Sequence, residues 1–123
     1  MAGKKLKILI VDDDHDVRKL YVDVFQEKGF DVIEAIDGVD GLDKATKMIP
    51  DLVFTGIIMP RMDGFALIEA LKRNVMTSKI PVIMSSHLGR EQDKQKAEEF
   101  GVKDFIVLGY CKPYEVVEKV RLM

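Results

Sequence analysis

Short apolar runs alternate along the chain with longer stretches whose apolar residues recur every three or four positions, and five such pairs can be read. Strands covered on both faces need near-continuous hydrophobicity, and the helices covering them need one apolar stripe, so the pattern predicts βα units around a parallel sheet. Leu6 to Val11 is apolar apart from Lys7 and reads as a central strand. Val32 to Ala35, Leu52 to Thr55, Val82 to Met84 and Phe105 to Leu108 read as the other four, Pro81 being tolerable at a strand start. Val17, Leu20, Tyr21, Val24 and Phe25 predict one buried helical face, ended by Gly29. Leu42, Ala45 and Ile49 predict a second before Pro50, Phe65, Ile68 and Leu71 a third opened by Asp63-Gly64, and Val116, Val117 and Val120 a last. The segment from Arg90 to Glu99 is almost wholly polar, with Ala97 and Phe100 its main apolar residues, so its helix is expected to be weakly held and mobile.

Composition narrows the function classes. A chain of 123 residues, 47% hydrophobic, is long enough for one domain with a core, and residues 1–123 are expected to form a single one without a DNA-binding or catalytic module. Nineteen basic and 21 acidic residues are well mixed and leave a net charge of −2, which gives no electrostatic footprint for direct nucleic-acid or membrane binding. The apolar run behind the basic start is short and ends at Asp12-Asp13-Asp14, which argues against a signal peptide or membrane span. Cys111 is the only cysteine, so no intramolecular disulfide forms, and a cytoplasmic location is expected. The thiol itself reads as buried or half-buried.

Open parallel sheets bind ligands beyond the carboxyl ends of their strands. Asp12, Asp13 and Asp14 follow the first strand, Gly56 ends the third, Ser85 and Ser86 end the fourth, and Lys112 follows the fifth. Each has an ordinary alternative role: aspartates cap helices, and serines and lysines decorate surfaces. Asp12, Asp14, Asp16 and Asp23 also have calcium-loop spacing, but Val17 stands where that loop needs glycine.

Taken together, the acidic pair in Ile10-Val11-Asp12-Asp13, the hydroxyl of Ser86 in Ile80-Pro81-Val82-Ile83-Met84-Ser85-Ser86, the Lys112-Pro113 pair and the stretch Pro50 to Gly64 resemble bacterial two-component response-regulator receiver domains, the CheY-like family. The resemblance covers nearly the whole chain. It implies a flavodoxin-like (βα)5 fold, a five-stranded parallel sheet in the order 2-1-3-4-5 with helices on both faces. It also places Gly56 where the family has its phospho-accepting aspartate. Phosphoryl transfer from a kinase histidine needs a carboxylate nucleophile, a divalent cation and fixed donors for the remaining charge. The resemblance assigns Mg²⁺ to Asp12, Asp13 and the Ile58 carbonyl, phosphoryl oxygens to Ser86 and Lys112, and the switch aromatic to Phe105 or Tyr110.

With Gly56 in the acceptor position no acyl phosphate can form there and one metal-ligating carboxylate is lost, so Mg²⁺ binding is expected to weaken. Lys112 is then expected to pair with Asp12 or Asp13. Thr55 is no substitute, because alternation points it away and its hydroxyl lacks a base. His87, where the family has a small residue, is expected to occlude the pocket or fill the space left by Gly56. The interval from Gly101 to Lys112 is about four residues longer than the family's.

The leading expectation is a degenerate, non-enzymatic receiver of a phosphorelay. It would bind a sensor histidine kinase or a downstream signalling protein through the region from Arg90 to Met123, with homodimerisation a further family habit. One alternative is a conventional receiver carrying an Asp-to-Gly replacement. Another is a small Mg²⁺-dependent phosphatase with Asp12 or Asp14 as nucleophile, although the chain lacks the cap and later acidic motif of such enzymes.

Overall fold

The computed structural model describes residues 5–122. Its elements alternate as expected: β1 (Lys7–Val11), α1 (His15–Glu27), β2 (Asp31–Ala35), α2 (Gly38–Met48), β3 (Leu52–Gly56), α3 (Gly64–Arg73), β4 (Val82–Ser86), α4 (Glu91–Glu99), β5 (Asp104–Val107) and α5 (Pro113–Arg121). All strand pairs are parallel, and the sheet order is β2-β1-β3-β4-β5. The order reverses at β1 and β3, which puts Asp12 and Gly56 side by side at the carboxyl edge.

Alternation along the buried strands splits the core in two. Ile8, Ile10, Phe54, Ile83 and Ile106 face α1 and α5, where Phe25, Val116 and Val117 are buried. Leu9, Val11, Val53 and Met84 face the other way onto Ala45, Phe65, Leu67, Ile68 and Leu71 of α2 and α3. Burying each of these large side chains contributes about 1.5–3 kcal/mol, so the paired layers fix the sheet and the strand ends with it. Helix α4 buries only Ala97 and has no side-chain N-cap, in keeping with its polar sequence.

Two of the residues expected on buried helical faces are exposed. Leu20 is 48% exposed because the stripe of α1 runs through Tyr21, Val22 and Phe25, which leaves Leu20 on its flank. Ile49 lies beyond the end of α2, in a left-handed conformation (φ 44°) that turns the chain before Pro50, so it leaves the buried face. Among the described residues no helix is long and apolar enough to cross a membrane.

Candidate functional site

Asp12 follows the last residue of β1 and is fixed from both ends. Its amide donates to the Ala35 carbonyl at 3.1 Å, and its carbonyl accepts from the Arg18 guanidinium at 2.7 Å. Arg18 also pairs with Glu34 at 3.1 Å, so α1 and β2 jointly hold the strand end. The Asp12 carboxylate accepts the Asp14 amide through Oδ1 at 2.9 Å, and Asp14 in turn caps α1 by accepting the amides of Asp16 and Val17.

Strand β3 brings Gly56 beside this carboxylate. A Cβ built on Gly56 would lie 3.5 Å from Asp12 Oδ2, an ordinary contact, so the position has room for a side chain. Thr55 points elsewhere, as alternation requires: it is buried, and its hydroxyl donates to the Gly56 carbonyl at 3.0 Å. Across the ladder Gly56 pairs with Ser85 of β4. A cavity of about 320 Å³ opens at these ends, walled by Asp12, Asp13, Asp14, Gly56, Ser85 and Ser86, with Ile57, Ile58, His87, Leu88 and Asp93 completing it.

The charge in this cavity is one-sided. Burial pushes the Asp12 carboxyl above its usual range, and the Asp13 and Asp14 charges add to the effect against the pull of the Asp14 amide and His87. Ser86 uses its hydroxyl locally, accepting the amides of Leu88 at 3.2 Å and Gly89 at 3.0 Å.

Lys112 does not join the cavity, and the expected pairing with Asp12 or Asp13 is not formed. The residues between β5 and α5 fold into a small excursion, with Leu108 and Cys111 joined by an isolated β-bridge, Gly109 at φ 94° and the Tyr110 amide on the Val107 carbonyl at 3.1 Å. Lys112 emerges from it as the N-cap of α5, and its ammonium lies 6.0 Å from the centroid of the Tyr114 ring. It lines a second cavity, of about 470 Å³, with Leu20, Tyr21 and the half-buried Cys111. Burial there pushes the Tyr21 hydroxyl up to about 12. His87 borders both cavities and is exposed; it does not fill the space at Gly56, whose nearest neighbour is Asp12. Phe105 is half-buried against the α3 side of the core, whereas Tyr110 is 89% exposed.

Comparison with known proteins supplies the family. The model of the response regulator receiver domain matches residues 8–121. The chain belongs to the response-regulator receiver family. This receiver is 36% identical over 112 residues to the "DNA-binding dual master transcriptional regulator RpaA" of a Synechocystis species, a match covering 91% of this chain and 45% of that protein. It is 34% identical over 107 residues to Protein PilG of Pseudomonas aeruginosa, covering 87% and 79%. It thus spans about half the length of several of its curated relatives. Among solved structures, chemotaxis protein CheY4 of Vibrio cholerae superposes with a TM-score of 0.89 at 25% identity, covering 97% of this chain and 98% of that one.

Receiver domains generally bind Mg²⁺ at their acidic cluster. Among the described residues no group of three or more His, Cys, Asp or Glu side chains is arranged to hold a metal ion. Mg²⁺ takes octahedral oxygen geometry, and two carboxylates with one carbonyl would fill about half of the positions and leave the other half to water, which the ion retains readily. Two features of this receiver lay outside what spacing revealed. Asp93 reaches the cavity from the polar helix α4. Arg61, at φ 66°, grips Asp37 through two hydrogen bonds of 2.7 and 3.1 Å and ties the β3–α3 turn to the start of α2.

Proposed function

We propose that this chain is a degenerate receiver that signals through protein–protein contacts without an acyl phosphate at Gly56. One observation carries the reading: the recess beside Asp12 Oδ2 is bordered by a glycine, so no carboxylate stands where the family's nucleophile belongs. The position of Lys112 outside the cavity supports it, since the cation that binds a phosphoryl oxygen is turned away. In this reading Ser86 and Lys112 are remnants of a phosphoryl pocket. Asp12, Asp13 and the Ile58 carbonyl give at most weak Mg²⁺ binding, and the burial of Phe105 favours it over Tyr110 as the switch aromatic. Residues 1–123 act as one cytoplasmic receiver unit, without enzymatic turnover. Its partner, a sensor histidine kinase or a downstream protein, selects the conformer it binds better at the α4–β5–α5 face.

Incubation with acetyl phosphate and Mg²⁺, followed by intact-mass spectrometry, tests the chemistry. No phosphoryl adduct is expected, while saturable association with a sensor kinase or output protein persists. An adduct on any cavity residue would sink the reading.

A second reading has its own support. Because a Cβ at Gly56 meets nothing closer than 3.5 Å, an aspartate fits there, as in a conventional receiver altered at one residue. It requires that Gly56→Asp alone gain phosphoryl acceptance at the rate of an ordinary receiver.

A further inference from the structure

We propose that the strand-end cavity is a receptor for a basic side chain, specifically an arginine that a partner protein presents between apolar residues. The proposal rests on the phosphate-independent reading above and names the chemistry of the partner at that site. Four carboxylates line the cavity, Asp12, Asp13, Asp14 and Asp93, and neither lysine nor arginine does. Lys112 faces the neighbouring cavity, and Arg18 is committed to the Asp12 carbonyl and Glu34. A site of this sign repels phosphoryl groups and attracts cations.

Two buried groups point to a ligand with hydrogen-bond donors. Ser85 is 4% exposed, and its hydroxyl has no hydrogen-bond partner among the described residues. Being in register with Gly56, it shares that residue's face of the sheet and lines the cavity. No fully buried side-chain oxygen among those residues lacks a partner, so the free hydroxyl opens into the cavity. Asp12 is 6% exposed, and its Oδ2, unlike Oδ1, accepts no hydrogen bond and borders the recess at Gly56.

A carboxylate oxygen at the end of β1 and a hydroxyl on β4, on either side of Gly56 of β3, open into one cavity and suit a broad fork of donors better than a compact ion with fixed octahedral demands. About 320 Å³ lies at the lower end of the range for small-ligand cavities. Around the mouth Ile58 is 78% exposed and Leu88 62% exposed. An acidic pit with an apolar rim is complementary to an arginine flanked by aliphatic residues, the kind of central anchor that dominates protein interfaces.

The test titrates the full chain, followed by amide NMR, with the capped tripeptide acetyl-Leu-Arg-Leu-amide, with its neutral citrulline counterpart and with Mg²⁺ alone. The arginine peptide is expected to give saturable shifts at Asp13, Gly56, Ser85 and His87, with the citrulline peptide at least tenfold weaker. Ser85→Ala should weaken binding severalfold, and Asp12→Asn tenfold or more. Equal affinity for both peptides, or no saturable shift, would overturn the proposal. So would Mg²⁺ that saturates the same amides at lower concentration and expels the peptide. Any of these results leaves the missing phosphoryl acceptance at Gly56 standing, because that is read by the adduct mass.

Discussion

Gly56 and Gly64 are neighbours across the β3–α3 turn, and packing requires only the second to be glycine. A Cβ on Gly64 would collide with the Gly56 carbonyl, which is backbone and has no room to retreat. Gly64→Ala is therefore expected to cost roughly 3 kcal/mol, read as a lowered urea midpoint, whereas Gly56→Ala should be nearly neutral. Asp12 carries a cost of the opposite kind. Burial first, then the Asp13 and Asp14 charges, raises its carboxyl above the ordinary 3.8. An acid held more tightly protonated in the folded state loses stability as pH rises through that interval, and the loss persists above it. Asp12→Asn keeps an acceptor for the Asp14 amide and removes the charge. It should be more stable than the native chain at pH 7, with the gap shrinking as pH falls toward 3.8 in urea unfolding.

Two connections between elements decide how the site is shaped. Arg61, strained at positive φ, stays in place because its guanidinium holds Asp37, and that contact, with the Asp40 amide, draws the Asp37 carboxyl below its usual range. An acid with a depressed folded pKa stabilises the protein above its unfolded value of 3.8, and that contribution is lost as pH falls through the folded one. Asp37→Asn should therefore unfold more readily at pH 7 and flatten the acid side of the stability profile, measured by urea titration across pH 2 to 7, a window chosen to span about the carboxyl range. The β5–α5 connection acts on Lys112. Deleting residues 108–111 in a Gly56→Asp background removes the excursion and should return the ammonium to the cavity. Acetyl phosphate would then phosphorylate the double variant about tenfold or more faster than Gly56→Asp alone, if one well-placed charge-assisted contact is regained.

Across the whole molecule, the fold was legible because each βα unit repeats the same signal, an apolar run followed by an apolar stripe. The strand-end residues were legible for a related reason, since a strand's end fixes where the next residue must be. Lys112 was not, because the path of the connection from β5 to α5 depends on Gly109 and on the Leu108–Cys111 β-bridge rather than on any periodicity. Asp93 was hidden in a helix whose polar residues look alike, and the Arg61–Asp37 contact joins positions 24 apart that no local pattern links. Leu20 misled by satisfying helical spacing while lying on the flank of its stripe. The loss of phosphoryl chemistry at Gly56 is the central claim, and a Mg²⁺ and beryllofluoride titration of the native chain and of Gly56→Asp, followed by amide NMR, tests it most directly. No saturable shift is expected in the native chain, and shifts confined to Asp12, position 56 and Ser86 in the variant, without spread to Phe105 or α5; saturable shifts in the native chain itself would contradict the account.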